Sequence, residues 1–237
     1  YQLPASIDWR SKDGYDWLSA VRNQDTCGSC AAFGSLGVVE GLVRIVNSNP
    51  YESVDLSESH LFSCGGGACA YGWYLSSAAN TLKNTGVVDE ACLPYQPVDN
   101  VCNSKCSDWQ SRLTQIDSWS YVSADQTSIK NYLVQGPVLA AIKVYEDFYY
   151  YEVGVYQHVY GGHASGHAVA IVGYNDTGGY WIVRNSWDTT WGEDGYVRIK
   201  YGEVEIEDHV LAMQITGDPA GVVASVDQTS LSLSGGQ

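Results

Sequence analysis

Seven cysteines, all lying between positions 27 and 106 of a 237-residue chain, restrict this sequence more than any other feature. They are Cys27, Cys30, Cys64, Cys69, Cys92, Cys102 and Cys106. The odd count leaves at least one thiol unpaired, and three disulfides plus one reactive thiol fit an oxidising compartment. Zinc is the rival account, because Cys27-x-x-Cys30 and Cys64-x4-Cys69 have roughly finger-like spacing. A four-cysteine zinc site would leave the other three unexplained. A redox pair at Cys27 and Cys30 would need a βαβ setting, and none surrounds it.

Cys30 stands apart from the rest. Phe33, Leu36, Val39, Val43 and Val46 follow it at spacings of three and four, which predicts a helix of about 17 residues. With Ser29 as its cap, Cys30 falls in the first turn, where unpaired backbone N–H groups and the helix dipole favour a thiolate. That is the placement of a nucleophile. A base has to come from elsewhere in the chain.

The composition narrows the partners. Formal net charge is −15, from 27 acidic and 12 basic residues, which disfavours nucleic acid and anionic lipid. No run of 18 apolar residues is present, so no membrane partner is expected. No basic stretch precedes an apolar one at the start, so the sequence reads as a mature form. The length allows one large core or two modest ones sharing an interface.

Along the chain the grammar changes once. Asp55-Leu56-Ser57-Glu58 has capping-box spacing and should open a short helix carrying Leu61 and Phe62. Further helices are expected over 73–83 and 125–134. Gly65-Gly66-Gly67 reads as an irregular, closely approached loop. The stretch 87–108 has little periodicity, with Pro94, Pro97 and three cysteines, and needs staples to hold it. Beyond Pro137 the pattern becomes strands, over 138–144, 167–173, 180–184, 196–200 and 209–215. The reading is an N-terminal arm (1–9) crossing to the β half, a mainly helical domain (10–118), a β domain (119–217) and a tail or linker (218–237).

The β half supplies candidate partners for Cys30. His167 opens an alternating segment after Gly166, and Asn185 closes the segment Tyr-Trp-Ile-Val-Arg-Asn, followed by Ser186, Trp187 and Trp191. A thiolate at a helix start in one half and an imidazole at a strand end in the other can meet only across a cleft.

These residues sit in motifs that resemble the papain-like cysteine peptidases. They are Leu3-Pro4-Ala5-Ser6-Ile7-Asp8-Trp9-Arg10, Asn23-Gln24 with Cys27-Gly28-Ser29-Cys30, and Cys64-Gly65-Gly66-Gly67 with Cys69. Gly166-His167-Ala168-Val169, Asn185-Ser186-Trp187 and Trp191-Gly192-Glu193-Asp194-Gly195-Tyr196 complete the set. The resemblance runs from Tyr1 to about Thr216. It implies an α+β, papain-like two-domain fold: a helical domain and a β-barrel-like domain with the active-site cleft between them.

It also implies roles. Cys30 would be the nucleophile, His167 the base and acid, and Asn185 the residue orienting the imidazole, with Trp187 shielding that bond from water. Gln24 and the Cys30 backbone N–H would form the oxyanion hole. Gly65, Gly66 and Gly166 would contact an extended peptide, and Ala141 and Ala168 would line a pocket for a bulky apolar P2 side chain. The far end of that pocket would come from 205–210, and a basic P2 residue would also be accepted if Glu207 or Asp208 lay there. The family pattern implies disulfides Cys27–Cys69 and Cys64–Cys102, which leaves Cys92–Cys106 as the third by elimination. No metal and no cofactor is expected.

The implied function is a cysteine endopeptidase, because no histidine-bearing insertion follows the glycine loop to block one end of the cleft. Its partners would be peptide or protein substrates, its own propeptide and proteinaceous inhibitors. It would act as a monomer, matured from a secreted zymogen, in the extracellular space, a lysosome-like vacuole or the periplasm. One departure is Ala31, where the family usually carries Trp or Tyr, and the paired cysteines of many relatives' β halves are missing. These departures keep two alternatives in view: a catalytically weak or inactive binding module and a peptide ligase using the same site. His60, His158, His163 and His209 read as surface or packing residues, although His158 and His163 are near enough to His167 in sequence for a metal site to be weighed.

Overall fold

The helix announced by the Phe33–Val46 periodicity is the spine of the computed structural model, which describes residues 2–216. It runs Cys30–Val46 (α1) and is buried almost throughout from Ala31 to Val43. Such a helix needs partners all round, and the chain supplies helices on one side and a sheet on the other. Gly34 permits the closest approach to the sheet, since a Cβ there would stand 2.9 Å from Leu139 and 3.4 Å from the Val169 nitrogen. Ser29 holds the N-cap position, but its hydroxyl caps no helix N–H.

The remaining elements, in chain order, are β1 (Ser6–Asp8), α2 (Leu75–Asn84), β2 (Ser118–Tyr121), α3 (Gln126–Leu133) and β3 (Val138–Tyr145). They are followed by β4 (Val155–Tyr156), β5 (His163–Asn175), β6 (Tyr180–Arg184), β7 (Tyr196–Lys200) and β8 (Val210–Gln214). Asp125 caps α3 by accepting the Ser128 N–H at 2.8 Å. The expected cap at Asp55 falls two residues later: Ser57 Oγ accepts the His60 N–H at 3.0 Å, and a π-type turn over His60–Cys64 follows. Both serine and aspartate serve as caps, so the sequence could not choose the register.

The β-barrel-like domain is overturned. The strands form one mixed, open sheet in the order β2-β8-β3-β5-β6-β7-β4, with β1 paired to β5 beside this path. Closure requires each strand to have two neighbours at matched stagger. Here β2 and β4 end the path, and β4 joins β7 through only two parallel residue pairs. The architecture is therefore a two-domain α+β fold with an open sheet. The N-terminal arm does reach that sheet, pairing Ser6–Asp8 with 173–175 of β5. The tail assigned to 218–237 lies outside the described residues.

Disulfides join Cys27 to Cys69, Cys64 to Cys102 and Cys92 to Cys106, and Cys30 is the free cysteine among the described residues. The third closes the loop around Pro94 and Tyr95, and its cysteines pack with Val88, Leu93 and Val101 in a small satellite core.

Three carboxylates cluster at α1, Glu40 and Glu58 buried and Glu90 half-buried, and they make stability depend on pH. Burial pushes Glu58 well above the ordinary carboxylate range; nearby Glu40 and Glu90 reinforce this, while its own backbone N–H and Arg22 oppose it. Burial also raises Glu90. A raised folded value means that the native state holds protons which the unfolded chain releases. The stabilisation is complete below the unfolded glutamate range and is lost as pH rises through the folded value. Glu58→Gln should therefore raise the thermal unfolding midpoint at about pH 8 and leave it nearly unchanged at about pH 4. Equal shifts at both pH values would contradict this.

Candidate active site

α1 ends at the interface with its first residue, Cys30, half-buried against the start of the buried part of β5. Burial by itself would raise the Cys30 thiol. It is outweighed by a hydrogen bond and charge interaction with His167 and by backbone N–H groups of Ala168 and Ala31, and the thiol lies below its ordinary value. A low-lying thiol, hydrogen-bonded to an imidazole at a helix start, is the setting in which sulfur becomes a nucleophile.

His167 is buried, with Nε2 2.7 Å from Asn185 Oδ1, which leaves Nδ1 for the sulfur. The Trp187 ring lies over the imidazole at 4.8 Å between centroids. Trp187 is itself sandwiched by the stacked ring of Tyr149 at 5.4 Å and the edge of Trp191 at 5.2 Å. The imidazole–amide bond is thus roofed by aromatic rings, which keeps water from competing for it.

Gln24 is 7% exposed and lies on the loop before the helix. Its Nε2 donates to the Cys27 carbonyl at 2.9 Å, and its Oε1 accepts from Ser186 Oγ at 2.7 Å. The second Nε2 hydrogen is uncommitted. Ser186 N–H also donates to Asn185 Oδ1 at 2.8 Å, so one serine ties the imidazole's partner to the Gln24 amide. Sequence reasoning named Ser186 only as the neighbour of Asn185; nothing in the motif spacing revealed its contact with Gln24. Tyr149 was missed altogether, because its role exists only once it stacks on Trp187.

The glycine loop is more varied than expected. At Gly65 a Cβ would collide with the Trp73 ring at 2.4 Å, so that glycine makes room for a side chain of its own protein. Gly66 is exposed with φ of 97° and nothing within 4 Å of a Cβ, and Gly166 is similarly open. Both leave backbone accessible to an extended chain.

Strand register puts Ala141 opposite Ala168, while the Ala141 N–H donates to the His209 carbonyl at 3.0 Å. The row Ala168–Ala141–His209 runs outward from the nucleophile, from buried through half-buried to exposed. Adjacent strands stand about 4.8 Å apart, so His209 lies roughly 10 Å across the sheet from Ala168. Glu207 is committed elsewhere, accepting from the Trp181 indole N–H at 2.9 Å and the Gly202 N–H at 3.1 Å.

The other histidines have separate surroundings. His60 is buried, and burial with the nearby Lys105 charge lowers it to about 4. His158 stacks on Tyr145 and contacts Asp147 through Nδ1 at 3.0 Å, while His163 meets the same tyrosine edge-on. Among the described residues no cluster of three metal-binding side chains occurs.

Comparison with known proteins gives one answer. The model of the papain family cysteine proteases matches residues 3–214. A cathepsin B-like protein of Giardia intestinalis is 38% identical over 224 residues, covering 89% of this chain and 74% of the relative. A cysteine proteinase of Brassica napus is 36% identical over 208 residues; they make up 84% of this chain but only 60% of that protein's length. Among solved structures, a cysteine protease of Carica candamarcensis in complex with E-64 superposes with a TM-score of 0.78 at 29% identity, covering 90% of this chain and all of that one.

Proposed function

The chain belongs to the papain family of cysteine proteases, and from that premise we propose that it cleaves internal peptide bonds with Cys30, His167 and Asn185 as its catalytic machinery. The observation that carries this reading is the lowered Cys30 thiol hydrogen-bonded to His167, whose other nitrogen is held by Asn185. The Cys30 sulfur attacks the peptide carbonyl, the oxygen takes the negative charge, and collapse to a thioester expels the amine with a proton from His167. His167 then takes a proton from water, whose oxygen attacks the thioester and restores the thiol. Gln24 Nε2 and the Cys30 N–H stabilise the oxygen at each tetrahedral stage. Trp187 and its aromatic neighbours protect the His167–Asn185 bond.

In this reading the nucleophile belongs to a helical domain spanning 10–118 and the base to a sheet domain spanning 119–217. Three disulfides suit an oxidising compartment. Extracellular, vacuolar or periplasmic residence, maturation from a zymogen and action as a monomer belong to the proposal, as do a propeptide and protein inhibitors as partners.

The substrate lies extended against Gly66 and Gly166, with its P2 side chain over Ala141 and Ala168. Two alanines leave space for a bulky apolar group, and His209 closes the outer end. With Glu207 bonded to Trp181 and Gly202, the pocket lacks that carboxylate as a counter-charge for a basic P2 residue. A fluorogenic peptide library varied at P2 should rank Leu, Val and Phe above Arg and Lys, with cleavage inside blocked peptides. No P2 preference, or trimming confined to free N-termini, would reject the assignment.

A further inference from the structure

Gln24 is held at every polar position except one amide hydrogen. Beyond its two side-chain contacts, its backbone N–H donates to the Ser186 carbonyl at 2.9 Å, and its own carbonyl accepts from the Tyr95 hydroxyl at 2.7 Å. The next residue, Asp25, has φ of 53°, in the left-handed region that favours glycine. The backbone that aims Gln24 therefore needs an outside hold, and the hold on its carbonyl comes from a residue 71 positions away.

Tyr95 has one hydroxyl hydrogen, and it is spent on Gln24. In the 2.8 Å contact between Tyr95 and Ser29 hydroxyls the serine is then the donor. A directed chain results: Ser29 O–H to Tyr95 oxygen, Tyr95 O–H to Gln24 carbonyl. It joins the residue that precedes the nucleophile to the residue carrying the oxyanion donor. Tyr95 is well anchored for this task. Its ring meets Phe33 edge-on at 4.8 Å, its N–H donates to the Glu90 carboxylate at 2.6 Å, and its loop is closed by Cys92–Cys106.

We infer that Tyr95 is a positioning residue of the oxyanion site, fixing Gln24 relative to the start of α1 so that the Gln24 amide hydrogen and the Cys30 N–H converge on one oxygen. The inference rests on the reading of Gln24 as an oxyanion donor. Such donors work by being fixed before charge develops, so loosening one costs rate while leaving substrate affinity largely intact. The chain of hydroxyls also strengthens each bond it contains.

Tyr95→Phe removes the hydroxyl and keeps the ring against Phe33. It should lower the acylation rate by about 3- to 10-fold, the change that matches one hydrogen bond of ordinary net strength, with KM little altered. Alkylation of Cys30 by iodoacetamide should proceed at the wild-type rate, because sulfur displaces iodide at a saturated carbon and no oxyanion forms. Adding Tyr95→Phe to Gln24→Ala should cause no further loss, since the residue acts through Gln24.

A folded Tyr95→Phe enzyme with unchanged acylation, alongside a slow Gln24→Ala, overturns the inference and leaves the oxyanion reading standing. Multiplying losses in the double variant, or equal losses in hydrolysis and alkylation, overturn it as well. Wild-type acylation by Gln24→Ala would defeat the oxyanion reading itself. Should Tyr95→Phe not fold, Ser29→Ala breaks the first link of the same chain. It should slow acylation and spare alkylation; no loss of acylation rate overturns the inference.

Discussion

Cys30→Ala abolishes peptide-bond hydrolysis, and His167→Ala comes close to doing so. The alanine at position 30 removes the atom that forms the thioester, and no other free cysteine exists among the described residues to replace it. Without His167 the thiol loses the hydrogen bond and charge that offset its burial, so it returns toward the protonated, unreactive form. Asn185→Ala costs less, because an imidazole without its 2.7 Å partner still samples the productive orientation. Activity against pH should be bell-shaped. It falls on the acid side as the thiolate takes up a proton and on the alkaline side as the pair loses one, each limb belonging to the coupled pair. An epoxide inhibitor of thiol peptidases should give one adduct, on Cys30, with matching loss of activity. Full hydrolysis by Cys30→Ala would refute the mechanism, and a folded protein with neither labelling nor turnover would favour a binding module. Amide-bond formation outpacing hydrolysis when an added amine competes with water would favour the ligase.

Glu40→Ala should destabilise the fold by about 1–3 kcal/mol, the usual cost of leaving buried hydrogen-bond donors without their acceptor. Glu40 is buried on α1, and its carboxylate accepts from Ser19 Oγ and, at 2.8 Å, from the Leu56 N–H. Burial raises its carboxyl, while the Arg184 charge pulls it down. Arg184, buried at the end of β6, donates to Ser19 Oγ at 3.1 Å and to the Ala20 carbonyl. The network thus spans the interface between the helix that starts with Cys30 and the strand that leads into Asn185. Removing the carboxylate leaves the Leu56 N–H and the Ser19 hydroxyl without their acceptor at the joint holding the two halves of the site in register. Urea unfolding is the direct measurement, and a loss below about 1 kcal/mol would mean that solvent takes over those two hydrogen bonds. Glu40→Gln should cost less, since the amide oxygen still accepts the Leu56 N–H.

The sequence carried the positions of most elements and the identities of the residues that meet at the site. The spacing of Phe33, Leu36, Val39 and Val43 is a property of one segment, and α1 runs over the 17 residues that the periodicity predicts. The strands 180–184 and 196–200 were legible for the same reason: alternation is local. Motifs at separate points of the chain identified the family, and the chemical types of Cys30, His167, Asn185 and Gln24 were readable because each sits in a distinctive local setting.

What tertiary structure decided was every relation between distant segments. Whether the sheet closes depends on strands β2 and β4 finding partners, and no residue pattern within either strand encodes that. Ser57 became the cap in place of Asp55 because its Oγ also bonds Leu93, a contact across 36 residues. That Gly65 must lack a side chain was legible, but only the fold shows that the ring of Trp73 occupies the space a Cβ would need. Tyr95 had no local signal at all, since a tyrosine in a proline-containing loop has the same sequence appearance whether its hydroxyl meets water or the carbonyl of Gln24. Local propensity and periodicity are written in neighbouring residues; pairing, closure and hydrogen bonding between remote groups arise only when the folded chain brings them within bonding distance.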